Sequence, residues 1–275
     1  MIFKKMADRE YRETRGINAS LIKEIYSDHE LFLYNKKKGI KKGSKSMRIG
    51  SIVHCLILEP QEYADRYMVA GSSATTNIYK EAVKENPEKI IITKPEQELA
   101  LEIVEYNPEV SSIFSATQNE MAVVGKLKFS DKMFDVKGKL DGFITHDNFY
   151  SILDLKTTAD LEWFAKDAIK FGYHIQAGFY KWLTDEAFPD KKFYNYKIVV
   201  IETKPPYKSK LYECTPAFVG RGQAIAFDVF YKYFVNGEVD NYTRPYMDIN
   251  PLKIDDSDDT LGSILRREKL ISTNF

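Results

Sequence analysis

Asp154 and Lys156 stand two residues apart in the stretch YSILDLKTTAD, residues 150–160. Alternate side chains of an extended chain share a face, so Ile152, Asp154 and Lys156 fall on one side and Leu153 and Leu155 on the other. Taken alone, a carboxylate and an ammonium so related are commonest as a surface ion pair of small worth. Asp141 changes that reading. It closes the preceding extended run, with twelve residues between it and Asp154, and two strands of a hairpin can bring such carboxylates within reach of one cation. Hard divalent cations such as Mg²⁺ take oxygen ligands, with one or two carboxylates beside water and phosphate. An amine next to that cation can orient a water for attack on phosphorus and help take its proton.

Further groups suit such a site. Gln176 and Tyr180 lie four apart, on one face of a helix that also carries Ile169, Tyr173 and Leu183. That face reads as a core-facing stripe, and Tyr173 is assigned to the core. Gln176 is a poor core residue unless hydrogen-bonded, which points it toward a site. Glu120 opens an earlier extended run. His54 sits inside the apolar GSIVHCLILEP (50–60), where a lone histidine is usually a core residue. Beside two carboxylates it becomes a metal ligand.

The elements that must position these residues follow from periodicity. Asn18 or Ser20 caps a short helix reaching Ile25 or Tyr26. RIGSIVHCLILEP (48–60) reads as a helix stopped by Pro60, TTNIYKEAVKENPEK as one ended near Pro87, and 96–114 as helical with a break at Pro108. Residues 61–95 are otherwise mixed and polar, with a short extended piece before a turn at Pro95. Three successive strands are expected at 120–129, 134–144 and 149–156, then a helix over 161–183 with Gly172 as its weak spot. A strand over 194–202, another at 210–214 and an amphipathic helix over 217–234 complete the pattern. The expected architecture is one α/β domain over 1–275 with a mixed central sheet flanked by helices, a catalytic core over about 48–235 and an irregular tail from 236.

Composition excludes several classes. With 44% apolar and 29% charged residues the chain can bury a core, and no apolar run is long enough to span a membrane. The charged N-terminus lacks the apolar centre of a signal peptide. Two cysteines, Cys55 and Cys214, are too few for a disulfide framework or a four-thiolate zinc or iron–sulfur site, and fit a reducing, cytoplasmic setting. Net charge is zero but segregated: KKKGIKKGSKSMR (36–48) holds seven cations and DDSDD (255–259) four anions. The basic run, with its glycines and serines, reads as a loop rather than a helix, either solvated or in contact with phosphates.

Five blocks, GSIVHCLILEP, KGKLDGF (137–143), ILDLKTT (152–158), FGYHIQAGFY (171–180) and IETKPPYKSKLYE (201–213), resemble in order the exodeoxyribonuclease VIII family. These are phage and prophage recombination exonucleases of the PD-(D/E)XK nuclease superfamily. The histidine and the glutamine–tyrosine motif also resemble the nuclease domain of bacterial recombination helicase–nucleases. The resemblance covers roughly residues 15–250. Leu140 stands where the family often has proline before the aspartate.

The resemblance implies a PD-(D/E)XK fold and Mg²⁺-dependent degradation of linear double-stranded DNA from its ends. The implied polarity is 5′ to 3′, leaving 3′ tails for strand annealing, with Mn²⁺ as a substitute metal. Asp154 would be the central metal ligand and Asp141 the second carboxylate, with the Leu155 carbonyl and His54 completing the set. Lys156 would position the attacking water, Glu120 would match the upstream acidic position, and Gln176 and Tyr180 would contact the DNA backbone. A bacterial host cytoplasm, a closed ring of three or four subunits with the tetramer favoured, and a single-strand annealing partner are implied likewise. In such a ring the basic run would face the DNA and the acidic cluster would face away. An endonuclease or nickase, and a non-catalytic DNA-binding module, are the competing readings.

Lys37, Lys38, Lys41, Lys42 and Arg48 are the candidate phosphate contacts of the basic run. Neutralising the four lysines together is expected to weaken DNA binding and flatten its salt dependence. An unchanged salt slope in a filter-binding titration would return the run to solvated surface.

Overall fold

The computed structural model describes residues 1–40, 45–239, 242 and 253–254. The chain opens with β1 (Ile2–Lys5) and α1 (Asp8–Glu13), then α2 (Ala19–Ser27), α3 (His29–Lys38) and α4 (Lys45–Leu58). A single turn, α5 (Tyr63–Arg66), leads to β2 (Tyr67–Val69), α6 (Asn77–Glu85), β3 (Ile90–Ile92), α7 (Lys94–Glu105) and α8 (Pro108–Ser115). The long strands follow: β4 (Gln118–Phe129), β5 (Lys132–His146) and β6 (Phe149–Thr158). After α9 (Phe164–Lys170) and α10 (Tyr173–Ala187) come β7 (Lys192–Glu202), β8 (Ser209–Glu213), α11 (Pro216–Val229) and β9 (Lys253–Ile254).

Seven strands form one mixed sheet in the order β1-β4-β5-β6-β7-β8-β9, and only β6 and β7 run parallel. A parallel pair needs a crossover, and α9 and α10 supply it. Helices cover both faces. Tyr150 and Ile152 of β6 pack with residues of α2, α10 and α11, whereas Leu153 and Leu155 pack with α4, α7 and α8. The period-two reading of this strand therefore holds, and Asp154 lies between the two layers with 1% of its surface exposed. Strand β7 is buried from Asn195 to Ile201, as a strand covered on both faces must be.

Local signals account for most boundaries. Asn18 caps α2 by accepting from the Leu21 amide. Gly172, at φ +67°, ends α9 and starts α10. Several sequence readings are corrected. Pro95 sits in the first turn of α7 instead of a turn, because a missing amide is harmless there and Thr93 with Glu96 forms a capping box. Residues 61–95 hold β2 and β3, a parallel two-stranded sheet hidden in sequence by its brevity. The basic run is no loop over its described part. Lys36–Lys38 form the last turn of α3, where cations suit the helix C-terminus, and Lys45–Arg48 open α4. Lys41, Lys42 and the acidic cluster 255–259 lie outside the described residues. Strand β1 and helix α1, unsuspected in so charged a terminus, pair with β4 and reach the cleft.

Helices α10 and α11 meet backbone to backbone. A Cβ on Gly222 would overlap the His174 carbonyl, and one on Gly178 would overlap the Gln223 amide. Gly222→Ala is expected to cost at least about 1–3 kcal/mol, the scale of overpacking in a tight core. Gly220→Ala, with no atom within 4 Å of the added carbon, should hold or raise stability by about 0.5–1 kcal/mol. Thermal unfolding of the two variants checks this, and a Gly222→Ala midpoint equal to wild type would refute the contact.

Candidate active site

The strand registers set three carboxylates in a row. Asn119 pairs with Gly142 and Met121 with Leu140, which frames Glu120 opposite Asp141. Gly142 pairs with Leu153, so the next position along sets Asp141 opposite Asp154. Neighbouring strands lie about 4.8 Å apart, so the row spans three strands at close quarters. The ladder itself yields at this row. Glu120 takes φ +56°, a left-handed conformation unusual for a non-glycine residue. The β5–β6 pairing stops at Gly142–Leu153. The Leu155 amide donates instead to Asp141 Oδ2 at 2.8 Å.

Cations and donors hold the outer two carboxylates. Lys156 Nζ lies 2.5 Å from Asp154 Oδ2, and Gln176 Nε2 donates to Asp154 Oδ1 at 2.8 Å. Lys139 pairs closely with Glu120 and lies 3.3 Å from Asp8 Oδ1. His54, from the middle of α4, brings Nδ1 to 3.8 Å from Asp141 Oδ2. One ligand atom from each of His54, Glu120 and Asp141 lies within 4.8 Å of the other two.

Burial pushes the Asp141 carboxyl well above its ordinary value, and Asp154 beside it adds to the rise. Burial also raises Glu120, although Lys139 opposes it. Burial and the Lys156 charge depress the His54 imidazole to about 3, which leaves a neutral ring with a lone pair to give. For Lys156, burial alone would lower the pKa. The Asp154 and Asp141 carboxylates outweigh it and hold the ammonium above its usual range. A neutral histidine beside surplus carboxylate charge suits a divalent cation, which the donor set of oxygens and one nitrogen could hold.

Over residues 19–226 the chain matches the family described as PDDEXK-like domain of unknown function (DUF3799). The chain belongs to that family. The fold also aligns with a candidate exonuclease from Eubacterium rectale, at 14% identity and a TM-score of 0.56, covering 98% of this chain and 96% of that one. A structure of SSO0001 aligns over 74% of this chain and 82% of its own at 16% identity, with a TM-score of 0.33, too low to bear on the fold. No curated protein matches. The PD-(D/E)XK fold that the family resemblance implied is thus the fold of the PDDEXK-like domain found here.

His54, Glu120 and Lys156 line a cleft of about 690 Å³, and Asp141, Asp154 and Gln176 are joined to them by direct contacts without lining it. The Leu155 carbonyl joins them, accepting from Lys156 Nζ at 3.2 Å and facing His54. Asp154 stands beside the three residues whose ligand atoms converge, with its oxygens taken by Gln176 and Lys156. Tyr180 lies half-buried on α10 over Gly138, behind the cleft instead of lining it. Lys37 and Lys38 are exposed at the end of α3, and Arg48 Nη2 pairs with Glu96 at 2.9 Å. None of these three cations lines the cleft.

The sequence reading missed Asp8, Lys23 and Lys139, all in the cleft wall, and gave Tyr173 wholly to the core. Gly172 starts α10 at the cleft, so the Tyr173 ring faces it, with Lys156 Nζ 5.3 Å from the centroid. Lys139 did leave a signal. Lys139-Leu140-Asp141 on β5 mirrors Asp154-Leu155-Lys156 on β6, as antiparallel neighbours with related roles would.

A carboxyl whose pKa rises on folding contributes stability that is complete below its unfolded value, about 3.9, and lost as pH climbs through the folded one. Without metal, Asp141→Asn should therefore match wild type at about pH 4 and exceed its melting midpoint by a margin that grows toward about pH 8. Added Mn²⁺ should raise the midpoint of wild type more than that of the variant. Scanning fluorimetry across pH measures both, and a margin that does not grow with pH would overturn the assignment.

Proposed function

We propose that this PDDEXK-like domain is a divalent-metal-dependent exodeoxyribonuclease of the exodeoxyribonuclease VIII kind. It would degrade linear double-stranded DNA from its ends, 5′ to 3′, and leave 3′ tails for strand annealing. The observation that carries the reading is the row Glu120–Asp141–Asp154, met by His54, Lys156 and Gln176 at one cleft. The name borne by the Eubacterium rectale protein agrees with it.

His54, Asp141, Asp154 and the Leu155 carbonyl would hold Mg²⁺ or Mn²⁺, with Glu120 beside them. Such a cation lowers the pKa of water and neutralises charge on a phosphodiester. The chain's own groups do the rest. Gln176 fixes the orientation of Asp154 through its amide. Lys156, held cationic by two carboxylates, donates a hydrogen bond to the attacking water or to a phosphate oxygen; proton removal falls to it only after Asp154 turns away. Asp141 is tied to the Leu155 amide, which keeps strands β5 and β6 in place around the reacting atoms. The exposed Lys37 and Lys38 would contact DNA phosphates away from the cleft, and Lys41 and Lys42 of the same basic run would contact phosphates too. A closed homo-oligomer, tetramer before trimer, belongs to the same proposal because it would keep the enzyme on long substrates. Light scattering gives its mass, and a monomer that digests kilobases past a DNA trap would exclude the ring.

The deciding experiment offers purified protein an end-labelled linear duplex and a closed circle, with Mg²⁺ and with chelator. Loss of label from the linear duplex in Mg²⁺ alone, with the circle intact, is the expected result. Cutting of the circle would make the protein an endonuclease or nickase, and binding without hydrolysis would make it a non-catalytic module. Lys156→Ala should lower kcat about 10²–10⁴-fold while DNA binding persists. Near-wild-type turnover in that variant would remove Lys156 from the mechanism.

A further inference from the structure

A second cavity, of about 610 Å³, adjoins the catalytic cleft. Three side chains line both: Lys23 of α2, Met47 in the first turn of α4, and Phe171 in the break between α9 and α10. They form the partition between the two spaces.

Lys23 differs from every other cation of the cleft. Lys139 is matched by Glu120 and Asp8, Lys156 by Asp154, Arg12 by Asp8 and Arg66 by Glu59. The Lys23 ammonium donates to Gln176 Oε1 at 3.0 Å and lies 5.6 Å from the Tyr173 centroid. Among the described residues it makes no ion pair with a carboxylate. Burial and Lys156 lower its pKa to about 8 against the weaker pull of the more distant Asp154 and Glu24 carboxylates, which still leaves it mainly charged at neutral pH. Phe171 is 52% and Met47 57% exposed. Scattered exposed apolar side chains are ordinary, but these two flank one ammonium on the shared rim of two cavities. Beyond the rim the second cavity offers Ser20, Ser27 and Lys170, against the single carboxylate of Glu24. A nucleic-acid strand presents phosphate and flat apolar base in alternation, and an unmatched cation between apolar side chains answers that alternation.

We propose that the second cavity is a subsite for one unpaired nucleotide adjoining the scissile bond, its phosphate on Lys23 and its base against Phe171 and Met47. This rests on the nuclease reading and adds to it a place for a nucleotide beside the catalytic cleft.

The test uses the full chain in chelator and two fluorescent oligomers of equal length, oligothymidylate and an abasic sugar–phosphate chain, followed by anisotropy. Phe171→Ala should weaken oligothymidylate binding about tenfold, the scale of one lost base stack, and leave the abasic oligomer unchanged. Met47→Ala should act in the same direction more weakly. Lys23→Gln should weaken both oligomers and lower the salt slope by about one. With Mg²⁺ and linear duplex, Phe171→Ala should raise KM more than it lowers kcat. Equal binding of both oligomers by wild type and Phe171→Ala, or equal losses on both, would overturn the subsite. Should wild type hydrolyse linear duplex while the variants bind like wild type, the subsite fails and the nuclease reading stands. Should wild type hydrolyse no DNA, the nuclease reading fails first and the subsite falls with it.

Discussion

Carboxylates placed side by side in a poorly hydrated sheet repel one another, and most of what surrounds Asp141 follows from that repulsion. Two lysines, one on each outer strand pair, stand against the outer carboxylates: Lys139 against Glu120 and Lys156 against Asp154. Among the described residues the central one makes no lysine ion pair of its own. Asp141 accepts a backbone amide and has the neutral His54 at its side, and burial with Asp154 nearby pushes its carboxyl well above the ordinary value although Lys156 opposes the rise. The sheet concedes regular pairing at this row, with a left-handed Glu120 on one side and a ladder that stops short on the other. Strain and repulsion are concentrated where a divalent cation would relieve both.

Support for the row comes from two layers of helix. Gln176 reaches Asp154 from α10, and α10 is held by its backbone contact with α11 at Gly178 and Gly222. Gln176 lies two residues from Gly178, so the hydrogen bond to Asp154 is made from the most firmly seated part of that helix. On the opposite face α4 carries His54, and the buried Ile52, Val53 and Cys55 beside it in sequence seat that helix against the sheet.

Much of this was legible in the chain. The alternation of Ile152, Asp154 and Lys156 against Leu153 and Leu155 named the strand and its two faces, because a side-chain period of two survives any tertiary context. Pro108 and Gly172 marked helix breaks for reasons of backbone geometry alone. The Lys156–Asp154 ion pair is real, and burial, which no local pattern encodes, separates it from a surface pair. What stayed hidden depends on partners distant in sequence. Asp8 meets Lys139 across 131 residues and Lys23 meets Gln176 across 153. Tyr173 and Arg48 show the same limit from the other side: one turns from core to cleft because a helix begins there, the other is drawn to Glu96.

The parallel pair β6–β7 of the seven-stranded sheet has a consequence for the order in which the molecule is made. Strands β4, β5 and β6 are consecutive hairpins and can associate as they emerge, but β6 acquires its second neighbour only when β7 arrives after the whole α9–α10 crossover. Asp154 sits beside Ile198 in that pairing and takes its amide contact from Gln176 within the crossover. Until then Asp154 and Lys156 lie on an open sheet edge, among water and mobile chain. Synthesis from the N-terminus therefore keeps the destructive chemistry of this fold unassembled until its last long strand is in place.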